Sequence, residues 1–386
     1  MRILILATDI YTRGGIARYT YTLASALGDL LGPANVHVLP LLAYGDASGL
    51  HPRFRVFRPV TDRLTAAAKV QFGIKALAHA RHKYDLIVCS HLGLALVAAT
   101  MGFVYRIPFW VVCHGIEVWG PLPLIKRVAL RQSNLLLPIS RFTAQKLSEV
   151  HKIPRQRVSV VHNAISDDFE RLLRAPGAAG GPETSLLHRE RLILSVGSLA
   201  RDLAYKGFDT VIRALPRVLE RVPNLRYVIV GDGDDRPRLE QLTAEHHLQG
   251  QVTFAGSVSD EQLAQCYRSC DVFVLPSRTI TTNGSCEGEG FGRVYIEASL
   301  AGKPVVGSRG GGAAEAVLRG ETGLLVDPTS VEETAGAIIE LLENPTAASQ
   351  MGQRGREWAR ENFTEEALRR SLGSLLQARG FGESYA

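Results

Sequence analysis

Short apolar runs alternate with longer stretches of helical period along nearly the whole chain. The first run, Ile3-Leu4-Ile5-Leu6-Ala7, has no polar position. That is the pattern of a strand buried on both faces of a parallel sheet. Similar runs at 36–42, 84–90, 108–114, 134–140 and 158–162 predict further strands, with helical stretches such as 16–27 and 64–82 between them. The alternation stops at 172–190, where Ala-Pro-Gly-Ala-Ala-Gly-Gly-Pro suits neither helix nor strand. It restarts at 191–197 and predicts strands at 226–230, 252–254, 272–275 and 304–307. The expectation is two doubly wound Rossmann-like α/β domains, 1–171 and 191–363, with a last helix at 364–378 crossing back to the first. Ligands of such sheets bind outside the carboxyl ends of the strands, so a cleft between two facing sheets is expected.

Composition narrows the class. The 386 residues suffice for two domains, and 46% hydrophobic content with 21% charged is globular. No apolar run approaches the roughly 18 residues of a membrane span, and the apolar start reads as a first strand rather than a signal peptide. The five cysteines, Cys89, Cys113, Cys266, Cys270 and Cys286, are scattered and odd in number. A reducing cytoplasmic location is expected, with no disulfide framework. No histidine pair accompanies Cys266 and Cys270, so no zinc site is expected.

Charge is divided unevenly. Residues 1–165 hold 20 Lys and Arg against 7 Asp and Glu, a net of +13 in a chain of net +6. Between positions 51 and 84, Arg53, Arg55, Arg58, Arg63, Lys69, Lys75, Arg81 and Lys83 face one acid, Asp62. A solvated surface accounts for such a run, and so does an anionic partner. Nucleic acid fits poorly, because no stacking aromatics punctuate the run. An anionic membrane surface at the inner face of the cell membrane, or a lipid-phosphate acceptor, fits better.

The densest chemistry lies at Glu289-Gly290-Phe291-Gly292-Arg293-Val294-Tyr295-Ile296-Glu297. Gly288, Gly290 and Gly292 let backbone N–H groups approach an anion, and a helix starting near Phe291 would aim its positive end there. Glu297 would then lie two turns along, on nearly the face of Glu289. Gly302-Lys303-Pro304-Val305-Val306 and Gly310-Gly311-Gly312-Ala313-Ala314-Glu315 follow. Upstream stand Gly14-Gly15 after the first strand, His114-Gly115-Ile116-Glu117 after another, Gly197-Ser198-Leu199-Ala200-Arg201, Tyr205-Lys206-Gly207 and Gly231-Asp232-Gly233. Each has a plainer account: a strand-to-helix turn for Gly14-Gly15, a structural histidine for His114, a surface arginine for Arg201. Lys206 and Arg201 are the cations suited to a departing diphosphate.

Together these segments resemble the retaining GT-B glycosyltransferases of the large fourth family, known for Glu-x7-Glu, over nearly the whole chain. The stretch 276–315 looks especially like mannosyltransferases acting on phosphatidylinositol mannosides, and also like exopolysaccharide enzymes. The resemblance implies that Glu289 meets the donor sugar and Glu297 the ribose hydroxyls. It also implies that Gly14 and Gly15 close over the donor and that His114 bonds the transferred sugar. Val258 matches the position whose backbone meets the base, while Gly197, Gly231, Gly290, Phe291 and Gly292 line the nucleotide-sugar site. Ser198 stands where the family has arginine, and Arg201 is the nearby substitute.

The expected activity is metal-independent transfer of a hexose, mannose favoured, from GDP-mannose or a UDP-sugar to a hydroxyl of a lipid-linked or polysaccharide acceptor. No cofactor is expected beyond that donor. The alternatives are an inactive nucleotide-sugar-binding protein and a sugar-nucleotide epimerase on the same fold.

Overall fold

A computed structural model describes residues 1–12, 14–43, 53–81, 83–175, 190–282 and 284–381. By packing, the chain divides into two units, 1–166 with 363–386, and 167–362.

The first unit carries, among the described residues, strands β1 (Ile3–Ala7), β2 (Val36–Pro40), β3 (Arg55–Val56), β4 (Leu86–Cys89), β5 (Phe109–Cys113) and β6 (Leu135–Pro138). All pair in parallel in the order β3-β2-β1-β4-β5-β6. β1, β2, β4, β5 and β6 are buried at every position, which explains their unbroken apolar runs. The strand expected at 158–162 reduces to one bridge between Leu136 and Val158.

The second unit repeats the plan. Its strands are β7 (Arg191–Val196), β8 (Leu225–Val230), β9 (Val252–Gly256), β10 (Val272–Val274), a hairpin of β11 (Ile280–Thr282) and β12 (Ser285–Glu287), then β13 (Val305–Ser308) and β14 (Gly323–Val326). Its parallel sheet runs β14-β13-β10-β7-β8-β9, the same winding as in the first unit. Strand order reverses between β1 and β4 in one sheet and between β7 and β10 in the other. The carboxyl ends at these reversals are where such folds bind ligands.

Two boundaries differ from expectation. The helix Asp167–Arg174 enters the segment expected to be irregular and packs on the second unit, where Arg268 donates to the Leu172 carbonyl. Most of the expected linker, 176–189, lies outside the described residues. The helix Glu365–Ala378, capped by Thr364, belongs to the first unit. Ion pairs hold it there: Arg53 reaches Asp29 at 2.6 Å and Glu365 at 3.0 Å, and Arg369 reaches Asp29 at 3.0 Å. Arg53 is therefore a structural cation rather than part of a free basic surface.

Candidate active site

The second unit gathers its candidates at strand ends. Gly197 follows β7 and Gly231 follows β8, with the Gly197 N–H donating to the Val230 carbonyl at 3.0 Å. Gly231 sits at φ +136°, and a Cβ there would meet the Gly197 oxygen at 1.9 Å. The two glycines thus bring the strand ends closer than side chains permit. The stem of Lys206 crosses Gly197, where a Cβ would meet Lys206 Cδ at 3.0 Å.

The Lys206 ammonium ends 2.9 Å from Glu289 Oε2, with both side chains largely buried. The turn that carries Lys206 is pinned from below. Arg278 donates its N–H to the Tyr205 carbonyl at 2.6 Å and its guanidinium to the Ala204 carbonyl at 3.2 Å, and it pairs with Asp209.

Glu289 belongs to a second backbone junction. The Gly312 N–H donates to the Glu289 carbonyl at 3.1 Å, and a Cβ on Gly312 would meet the Gly290 oxygen at 2.0 Å. Phe291 is buried beneath. Gly292, at φ +88°, starts the helix Arg293–Leu300. Glu289 consequently lies before the helix, and the expectation that Glu289 and Glu297 share a helical face is corrected. The left-handed glycine between them breaks the periodicity on which that expectation rested.

Glu297 is 3% exposed. Its Oε1 accepts from Arg293 Nε at 2.9 Å and its Oε2 from the Tyr267 hydroxyl at 2.8 Å. Each carboxylate oxygen retains a further lone pair. Tyr295 ties the same helix to the sheet, donating to the Leu275 carbonyl at 2.6 Å.

In the first unit, Asp9 is buried and accepts from the N–H groups of Tyr11 at 2.7 Å and Thr12 at 3.2 Å, turning the chain after β1. Gly14 and Gly15 then open the helix Gly15–Leu31. A Cβ on Gly15 would meet nothing within 4 Å, so packing gives no reason for glycine there.

His114 follows β5. Its Nε2 lies 2.7 Å from the Ser90 carbonyl, which can only accept, so Nε2 carries the proton and Nδ1 is left as an acceptor. Tyr19 packs edge-on at 5.5 Å and His91 nearly parallel at 6.1 Å. The Glu117 carboxylate accepts from the His114 backbone N–H. Burial pushes the imidazole down to about 4, only partly offset by the Ser90 bond, so the ring is neutral at neutral pH. His91 is lowered in the same direction, chiefly by burial.

The comparisons with known proteins bear on this arrangement. Residues 13–169 match the family described as Glycosyltransferase Family 4, and residues 183–358 that described as Glycosyl transferases group 1. A GDP-mannose-dependent alpha-(1-6)-phosphatidylinositol monomannoside mannosyltransferase of Mycolicibacterium smegmatis is 34% identical over 275 residues, 69% of either chain. The chain belongs to this family of glycosyltransferases. The enzyme of that name from Mycobacterium tuberculosis is 29% identical over 392 residues, 97% of this chain and 98% of its own. The Anabaena protein Alr3699/HepE, solved in complex with UDP, superposes at a TM-score of 0.76 with 21% identity, covering 98% of this chain and 100% of its own. That likeness shows the GT-B fold.

Within this glycosyltransferase, Lys206, Glu289, Gly197 and Gly231 lie in one unit, and Gly290, Phe291, Gly292 and Glu297 follow directly. Arg201 takes a different place. It is exposed, its N–H donates to Asp234 Oδ1 at 2.9 Å and its Nε to the Asp234 carbonyl at 3.3 Å. Val258 sits half-buried in the loop between β9 and the helix Asp260–Ser269. Gly14, Gly15 and His114 belong to the other unit. The supporting roles of Arg278 and Tyr267 carried no sequence signal beyond their types, because their partners are distant in sequence, whereas Arg293 stands four residues before Glu297 on the expected helix.

The polar segment 279–288 contains the β11–β12 hairpin. The sequence pair Asn283-Gly284 was the available signal.

Proposed function

We propose that this glycosyltransferase moves mannose from GDP-mannose to a hydroxyl of a lipid-linked acceptor, with retention at the anomeric carbon and without a metal ion. The observation that carries the reading is the Lys206–Glu289 pair beside the close-packed glycine junctions at the strand ends of the second unit. A fixed ammonium and backbone N–H groups suit a diphosphate, and a neighbouring carboxylate suits sugar hydroxyls. Glu297 keeps lone pairs for the ribose, and the loop at Val258 for the base. The sugar C1–O bond to the diphosphate breaks, the acceptor oxygen bonds C1 on the same face, and its proton passes to the leaving phosphate. Lys206 lowers the cost of the charge that develops on that phosphate. Neutral His114 offers the transferred sugar a polar but uncharged partner.

The names of the mycobacterial relatives favour GDP-mannose and a phosphatidylinositol-based acceptor. Turnover with a panel of GDP- and UDP-sugars tests the donor, and the anomeric configuration of the product by NMR tests retention. Activity that disappears with EDTA and returns with Mg²⁺ or Mn²⁺ would overturn the metal-free reading.

The acceptor's setting is proposed to be an anionic membrane surface. The helices Ala66–Ala80, Ala95–Tyr105 and Leu124–Gln132 of the first unit carry Lys69, Lys75, Lys126, Arg127 and Arg131 and not one carboxylate. Val70, Ile74, Phe103, Leu124 and Ile125 are exposed among those cations. Each basic group near such a surface contributes about 1 kcal/mol. No helix among the described residues is long and apolar enough to cross a membrane. Sedimentation with anionic vesicles, abolished by high salt and by charge reversal at Lys69 and Lys126, is expected. Equal indifference to anionic and neutral vesicles would overturn it.

A further inference from the structure

Between the helices Ala66–Ala80 and Ala95–Tyr105 the first unit holds a cavity of about 330 Å³ that no part of the donor chemistry uses. Val70, Phe72, Leu77, Leu96 and Val97 line it, and Lys69 stands at its edge. One end reaches Gly93, whose N–H donates to His91 Nδ1 at 3.0 Å. The cavity therefore begins at the carboxyl end of β4, beside the point where strand order reverses. From there it runs between the two helices as an open groove, two of whose lining residues, Val70 and Leu96, are exposed.

We infer that this cavity seats one acyl chain of an anionic, lipid-linked acceptor. The inference rests on the lipid-acceptor reading above and deepens it from a surface to a site. Three features select this occupant. The walls are mostly aliphatic and aromatic carbon, with Lys69 and Thr100 as the polar lining side chains. The volume matches roughly ten groups the size of a water molecule, about that of a methylene, in a row. The helices Ala66–Ala80 and Leu124–Gln132 carry basic groups and no acid, and Ala95–Tyr105 carries no charge, which favours a phosphate-bearing lipid over a neutral one. A chain lying here leaves its headgroup near Gly93, at the ligand-binding edge of the sheet. Chain and headgroup would then be held by the first unit.

Gly73 supplies the test. It lies in the wall, and a Cβ there would meet only Val97 Cγ2, at 3.9 Å. Gly73→Leu adds a side chain directed at the cavity wall and also raises helix propensity, so the unit should fold. Thr100→Leu narrows the same space and removes only a bond to the Leu96 carbonyl of its own helix.

The probe is a series of monomeric lysophosphatidylglycerols of increasing chain length, titrated into the full chain below their micelle concentrations. Wild type is expected to bind about fourfold more tightly per added methylene until the cavity is full. Gly73→Leu should weaken the longer chains at least tenfold, and Thr100→Leu should do so to a lesser degree. Both variants should sediment with anionic vesicles as wild type does. A chain-length response that is flat, or unchanged by both variants, overturns the acyl site even when vesicle binding is intact. If wild type ignores anionic vesicles as well, the membrane reading falls separately. A wild-type dimer that Gly73→Leu dissociates would assign the cavity to a second copy of the chain and likewise overturn the inference.

Discussion

Lys206 Nζ and Glu289 Oε2 lie 2.9 Å apart, although 83 positions separate them in the chain. The pair joins the turn after β7 to the glycine-rich segment after the hairpin, and it holds the ammonium in place before any donor arrives. Lys206→Ala is expected to lower turnover on the order of 100-fold or more, the cost of losing one preorganised charge. Glu289→Ala should reduce turnover more than donor affinity, because it frees Lys206 as well as removing a sugar contact. Calorimetric donor titration beside steady-state rates checks both. Parental values for the two variants would refute the pairing as catalytic.

Arg201 is predicted to matter much less. Its side chain is exposed and turned to the Asp234 carbonyl. Arg201→Ala should cost under about tenfold in rate, a loss of one screened charge. A loss equal to that of Lys206→Ala would show that Arg201 swings to the leaving group and fills the role vacated at Ser198.

Glu297 requires a different test from Glu289. It neutralises Arg293 in a site where the two side chains are 4% and 8% exposed. Removing it leaves a buried guanidinium without that carboxylate, at a cost of about 3–5 kcal/mol. Glu297→Ala is therefore expected to lose stability as well as donor affinity. Tyr267→Phe removes one bond to the carboxylate and should cost only about 1 kcal/mol. Thermal unfolding of both, with and without nucleotide, separates the structural share of Glu297 from its binding share.

Gly15 offers the complementary case. A Cβ there meets no neighbour within 4 Å, so Gly15→Ala should leave the melting temperature nearly unchanged. If the glycine exists to let a donor approach, the rate should still fall. Unchanged rate and unchanged stability together would make Gly14-Gly15 an ordinary strand-to-helix turn.

His114 predicts a pH dependence. Burial holds its folded-state value near 4, below that of an unfolded histidine at 6.5. The unfolded chain thus takes up a proton as pH falls below 6.5 while the folded ring stays neutral. Stability should decline from about pH 6.5 to about pH 4, by no more than about 3 kcal/mol, and this contribution should level off below. His91 acts in the same direction, and the Glu117 carboxylate opposes it. Denaturant midpoints across that range should be flatter for His114→Asn than for wild type.

Much of the architecture was legible because strands buried on both faces write themselves as unbroken apolar runs, as at 3–7 and 109–113. Very short or exposed polar elements were not. β3 has two residues, half-exposed or exposed, and the hairpin β11–β12 is polar and mostly exposed, so neither produces a hydrophobic signal. In the candidate site, the glutamate spacing singled out a segment but suggested the wrong geometry, since helical period says nothing about a left-handed residue at Gly292. The ion pairs Lys206–Glu289 and Arg293–Glu297 differ in the same way. The second is a spacing of four on a helix, whereas the first depends on how two strand ends meet.

The last helix has a consequence for how the protein is made. Ile165 and Thr364 are bridged side by side, and Glu365 meets Arg53 near the other end of the sequence. The whole of 167–362 must be synthesised before that segment exists. At ribosomal speeds this takes roughly 10–40 s. For that interval the first unit waits with Arg53 lacking Glu365 and with one helix of its cover missing. The second unit, continuous in sequence, can complete its own sheet first. An emerging chain would therefore acquire its second unit in finished form while its first was still open to chaperones and proteases.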